Sequence, residues 1–140
     1  MPVMAEDTQN NKSTTINYEV KETYDWTVPA SVTFTDNGTT AKTGTVSVTK
    51  NVIGYGKNLV ISIDSNEDFT LKDSAESKNT RTYKVFVGSV STALAKAGEV
   101  LKTPAGTNTS NVGLTFKLDS IAVEKSGSYS DTLAFNSVVK

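Results

Sequence analysis

The segment Asn58-Leu59-Val60-Ile61-Ser62-Ile63-Asp64 places Leu59, Ile61 and Ile63 on alternate positions. A period of two is what an extended strand needs to send one apolar row inward. Its β-branched residues fit a pleated surface, and the run is too short for a helical period to be read into it. This is the cleanest strand in the chain, and the same alternation recurs on both sides of it.

Toward the N-terminus, Gly44 to Lys50 alternates through Val46 and Val48, Ser31 to Thr35 carries Val32 and Phe34, and Tyr24 to Val28 aligns Tyr24, Trp26 and Val28. Pro29 then breaks the ladder, and Asp36-Asn37-Gly38 is a turn, because Asn-Gly tolerates positive φ. Ser13 to Lys21 aligns Ile16, Tyr18 and Val20. Toward the C-terminus, Phe69 with Leu71, Thr80 to Val87, Glu99 to Lys102, Val112 to Leu118 and Tyr129 to Asn136 read as further strands. Ser91 to Gly98, with Ala93, Leu94, Ala95 and Ala97, suits a single helical turn ended by Gly98. Eight or nine short strands separated by turn signals predict an all-β fold, a two-sheet antiparallel β-sandwich of Ig-like or jelly-roll-like type. The expected organisation is a flexible N-terminal segment over residues 1–12 and one sandwich domain over 13–140.

The composition agrees. The 140 residues include 21 Thr and 16 Val, about a quarter of the chain. There is no cysteine and no histidine. Those absences remove disulfides, thiol nucleophiles, Cys-ligated metals and the commonest general base. Fourteen basic residues offset 15 acidic ones, so no electrostatic footprint for nucleic acid exists. No apolar run is long enough to span a bilayer as a helix. Serines are numerous, but no histidine can activate one, and Asp25, Asp64, Asp119 and Asp131 lie on separate segments. The expectation is a binding or structural domain rather than an enzyme. At the N-terminus, Val3 and Ala5 stand at the −3 and −1 spacing that a signal peptidase reads before Glu6, so the start reads either as a signal-peptide stub of an exported protein or as residues added to it.

Two stretches carry a resemblance. Tyr24-Asp25-Trp26-Thr27-Val28-Pro29-Ala30 and Gly127-Ser128-Tyr129-Ser130-Asp131-Thr132-Leu133-Ala134-Phe135 resemble the opening Tyr-x-x-x-Val-Pro-Ala and closing Gly-x-Tyr-x-Asp-x-Leu-x-Phe of secreted Gram-positive surface β-sandwich modules. The resemblance implies an extracellular, cell-surface location, a structural or adhesive role, and other surface proteins as partners. The resemblance also implies that a Lys–Asn isopeptide bond, which some such sandwiches carry, would have Lys21, Asp131 and Asn136 as its candidates. A buried acid has to stay protonated for that chemistry, and the simpler expectation is a surface Asn with an Asp that caps a turn.

Other residues have individual readings. Tyr129 follows the Gly127 turn at the start of a late strand, the position of a tyrosine corner whose hydroxyl bonds back to the preceding loop. Trp26 shares a face with Tyr24 and Val28 and is expected in the core. Asp64, Asn66 and Asp68 have the 1-3-5 oxygen spacing with which a calcium loop begins. Phe69 stands where that loop needs glycine and Ala75 where it needs its bidentate acid. A polar turn with no cofactor is therefore expected, with calcium as the alternative. Tyr55, between Gly54 and Gly56, is the one loop aromatic that suits a carbohydrate-binding module, and a glycan would then be the partner. Finally, Thr15, Ile16, Tyr18 and Val20 form a terminal strand. Its default is pairing within its own sheet, and its alternative is addition to the sheet of another copy, which builds filaments.

Overall fold

A computed structural model describes residues 10–35, 38 and 40–140. The signal-peptide reading of Val3 and Ala5 and the first two residues of the Asp36-Asn37-Gly38 turn lie outside the described residues. Gly38 has φ +73° and its amide donates to the Thr35 carbonyl, as a turn at this place requires.

Among the described residues nine strands follow in chain order: β1 (Thr23–Thr27), β2 (Lys42–Val52), β3 (Asn58–Ser65), β4 (Thr70–Asp73), β5 (Thr80–Val87), β6 (Glu99–Pro104), β7 (Ser110–Leu118), β8 (Tyr129–Ser130) and β9 (Leu133–Val139). They form a six-stranded sheet in the order β1-β2-β7-β5-β4-β8 and a three-stranded sheet in the order β6-β3-β9. Every pairing is antiparallel, so the expected two-sheet sandwich is the observed fold. The alternating rows meet as the period of two demands. Leu59, Ile61 and Ile63 on β3 pack against Val46 and Val48 on β2, Val85 on β5, and Leu114 and Phe116 on β7, in one buried core. Trp26 is half-buried against that core, as expected.

One end of the sandwich carries Val52, the Gly54–Lys57 turn, Asn58 and Lys140; Thr23 is paired with Val52 there. The opposite end carries Ser65, Leu118 and the connection from β7 to β8. They are called the Tyr55 end and the Asp131 end below.

Three expectations are corrected. Ser13 to Val20 does not pair within its own sheet, and the sandwich begins at Thr23 rather than at residue 13. Residues 10–22 carry no strand and are exposed, with Ile16 at 90% and Tyr18 at 91%. Alternation tells which side chains a strand could bury, but not which edge would accept it. Ser31 to Thr35 is likewise no strand: Pro29 sits over Gly44 of β2, where a Cβ would come within 2.5 Å of the proline ring, and the following residues lie on the core without a ladder. Val32 and Phe34 still turn onto the core. Ser91 to Gly98 forms turns and no helix, held by Leu94 N–H to the Val85 carbonyl and Gly98 N–H to the Ala95 carbonyl.

The tyrosine corner is present. Tyr129 donates its hydroxyl to the Lys125 carbonyl at 2.5 Å. Gly127 is required beside it, because a Cβ there would lie 2.6 Å from the Asp73 carboxylate. That carboxylate is held below its ordinary value, first by the Ala75 amide and then by the Asn79 side chain. A carboxylate lowered in the folded state stabilises above its unfolded value and loses that contribution as pH falls through the folded one. Tyr129→Phe is expected to cost about 1 kcal/mol in urea unfolding at neutral pH. Gly127→Ala is expected to cost about 1–3 kcal/mol by overpacking. Asp73→Asn should flatten the loss of stability below about pH 4.

Candidate functional site

The short sheet ends on β9, and the residues that face inward along β9 are incompletely covered. On the central strand β3, Leu59, Ile61 and Ile63 are fully buried, whereas Leu133 and Phe135 on β9 are only half-buried. Strand β9 pairs with β3 on one side, and among the described residues no strand pairs with its other side. A free edge leaves a row of backbone donors and acceptors unpaired.

Beside this edge runs a trough. Its apolar half, of about 410 Å³, lies between Val28 to Phe34 on one wall and Leu133 and Phe135 on the other, with Tyr83 and Phe116 beneath. Its polar half, of about 580 Å³, continues to Ser126, Gly127 and Tyr129. The two halves share Val32, Phe34, Leu71 and Asp131, so they form one channel. Apolar walls with an open backbone edge suit an extended strand better than a small molecule.

Asp131 stands where the halves join, in the two residues by which the chain passes from β8 in the large sheet to β9 in the small one. Its Oδ2 accepts hydrogen bonds from Ser65 at the end of β3 and from the Tyr83 hydroxyl on β5, and Oδ1 accepts from the Thr132 amide at 2.9 Å. Burial pushes the Tyr83 hydroxyl far above its ordinary value, and the bond to Asp131 adds to the rise. Phe69, held at φ +60°, sets its ring edge-on against Tyr83 with centroids 5.8 Å apart. The inward direction expected for Asp131 is therefore observed, but its carboxylate is occupied by two hydroxyls.

The other candidates are not brought together. Lys21 is on the exposed N-terminal segment and Asn136 on the exposed face of β9, so neither has the burial that isopeptide chemistry needs. Asp64 is on β3 with Oδ1 buried and unpartnered, and Asn66 and Asp68 belong to the following turn. Among the described residues no three His, Cys, Asp or Glu side chains form a metal-binding group. Tyr55 is fully exposed. Asp119 was legible only as an isolated acid. Although its partial burial acts upward and is the largest single influence, bonds from Lys84 and Thr82 hold it below its ordinary range. Its partners come from β5, across a connection the sequence does not reveal. No helix among the described residues is long and apolar enough to cross a membrane.

No protein-family model matches the chain, and no curated protein matches it in sequence. Solved structures do. One is a chain of the CsuC–CsuE chaperone–tip adhesion subunit pre-assembly complex from archaic chaperone-usher Csu pili of Acinetobacter baumannii. The likeness has a TM-score of 0.52 and 15% identity, over 82% of this chain and 39% of that one. Another is a chaperone–tip adhesin complex of CFA/I fimbriae biogenesis, with a TM-score of 0.47 and 14% identity, over 94% of this chain and 41% of that one. This chain thus spans about two fifths of the length of either. The first likeness shows the fold, an antiparallel β-sandwich.

Asp131→Ala is expected to cost about 2–3 kcal/mol, because it leaves two hydroxyls without their acceptor. A tyrosine whose value is raised on folding contributes stability that is complete below its unfolded value and lost as pH rises above it. Wild-type stability should accordingly decline above about pH 10. In a spectrophotometric titration Tyr83 should ionise above the ordinary tyrosine range, and Asp131→Ala should lessen that rise without abolishing it, because the burial remains.

Proposed function

We propose that this chain is a non-enzymatic structural subunit of an extracellular assembly on a bacterial surface, in which residues 13–21 of one copy complete the sandwich of the next. The observation that carries this reading is a matched pair of features. An exposed segment alternates Ile16, Tyr18 and Val20, and an uncovered trough flanks the free edge of β9. One supplies an apolar row without a partner and the other an apolar channel without a cover.

Geometry favours exchange between copies. The segment joins the body at Thr23, at the Tyr55 end of β1, while the trough begins at Val28, beyond the other end of that strand. Thr23 and Val28 are five residues apart along an extended chain, about 17 Å. Only Lys21 and Glu22 separate Val20 from β1, a reach of about 10 Å. Val20 cannot therefore lie in the trough of its own chain. Donation by one end and acceptance by another is a heterologous contact, which generates open filaments where it does not close into rings.

The likeness in fold to a pilus complex agrees with this reading. The two sequence motifs favour a Gram-positive source and an adhesive or scaffolding setting with other surface proteins, and both remain part of the proposal. The carbohydrate-binding alternative rests on Tyr55 alone. Among the described residues the aromatic pair is Phe69 with Tyr83, in the interior, and a second ring beside Tyr55 would be needed to clasp a sugar.

Ile16→Asp with Tyr18→Asp tests the reading, since both side chains are exposed and belong to no core. The double variant should unfold within about 0.5 kcal/mol of wild type and form no filaments by negative-stain microscopy at concentrations where wild type does. A wild-type chain that stays monomeric at high concentration would overturn it.

A further inference from the structure

Among the exposed large apolar side chains, Tyr55 stands at one end of the sandwich, and Ile121 and Val123 stand at the other, Ile121 on the rim of the trough's polar half. Tyr55 is at the Tyr55 end, exposed at 104%, and Ile121 and Val123 are at the Asp131 end, exposed at 43% and 71%. Resting on the strand-exchange reading, we propose that Tyr55 of one copy docks on the Ile121–Val123 patch of the next and sets the angle between successive subunits.

The direction of insertion brings the two surfaces together. On its β9 wall the trough extends from Phe135 to Asp131 and continues past Gly127 and Ser126. It does not reach Val139, and so it opens at the Asp131 end. The donated segment remains tied to its own body through Lys21 and Glu22, so that body sits outside the open end. The segment then runs antiparallel to β9, with Val20 nearest the opening and Ile16 deepest. Thr23, where the donor's body begins, is paired with Val52, only three residues from Tyr55. The Tyr55 end of the donor thus faces the Asp131 end of the acceptor.

Both surfaces are held in place. The Gly54–Lys57 turn, closed by Lys57 N–H to the Gly54 carbonyl at 3.0 Å, displays Tyr55 outward. The connection bearing Ile121 and Val123 is braced at several points. Arg81 donates from Nε to the Asp119 carbonyl and from Nη1 to Glu124, each at 2.9 Å. Lys84 pairs with Asp119, and Tyr129 holds the Lys125 carbonyl. A loop so fixed that still turns Ile121 and Val123 to solvent is preorganised for a contact, and an aromatic anchor with apolar neighbours is a common centre of one.

The chain has no cysteine of its own, which permits a direct test. The full-length variant Tyr55→Cys/Val123→Cys is oxidised mildly and then boiled in detergent, with and without reductant. A control variant, Tyr55→Cys/Lys96→Cys, is treated alongside. A ladder of multimers in the first variant alone, abolished by reductant, supports the contact. Such a bond needs Cα atoms within about 7 Å of one another. Filaments that form normally but yield no ladder overturn this inference and leave strand exchange standing. Failure of the unmodified chain to form filaments overturns both. As a second readout, Tyr55→Ala should leave monomer stability unchanged and remove the straight segments of filaments seen by microscopy.

Discussion

Six strands on one side of the core face three on the other. An apolar sheet face is stable only when something dry lies against it, and the rows on β2, β5 and β7 are covered by β3 and its neighbours. Coverage fails at the margin of the short sheet. There Leu133 and Phe135 remain half-buried and the backbone of β9 has one unsatisfied side. The trough runs along this margin, and the proposed role of the N-terminal segment and the proposed polarity of assembly both rest on it.

The chain manages the margin with polar clamps. Asp131 lies where the backbone leaves one sheet for the other, and it binds a hydroxyl from each, Ser65 and Tyr83. A carboxylate with hydroxyl donors on both sides fixes the crossing without filling the channel next to it. Tyr129 and the Arg81–Glu124–Asp119 group hold the preceding connection in the same way.

Much of this was readable from residue order. Alternation in Asn58 to Asp64 and Val112 to Leu118 identified strands, because a period of two has only one regular backbone that satisfies it, whereas Tyr129 to Asn136, read as one strand, divides at Asp131 and Thr132 between β8 and β9 in different sheets. The glycine before Tyr129 marked the corner for a local reason: a hydroxyl four residues along can return to its own loop. Less was readable where the partner is distant. Nothing near Asp131 in the chain announces Ser65 or Tyr83, and nothing near Asp119 announces Lys84. Ser31 to Thr35 has the pattern of a strand, yet it lies where no neighbouring strand offers it a ladder.

By itself, then, the sequence determined the sandwich class, the inward rows, the turn chemistry and the absence of histidine and cysteine catalysis. All of these depend on residue type and on contacts a few positions apart. Tertiary structure alone decided that residues 13–20 pair with no strand of the sandwich, that β9 is left with an unpaired edge, and that its inward residues border the trough. Those outcomes depend on which edges remain open once nine strands have paired. That is a property of the whole arrangement, and no local pattern encodes it.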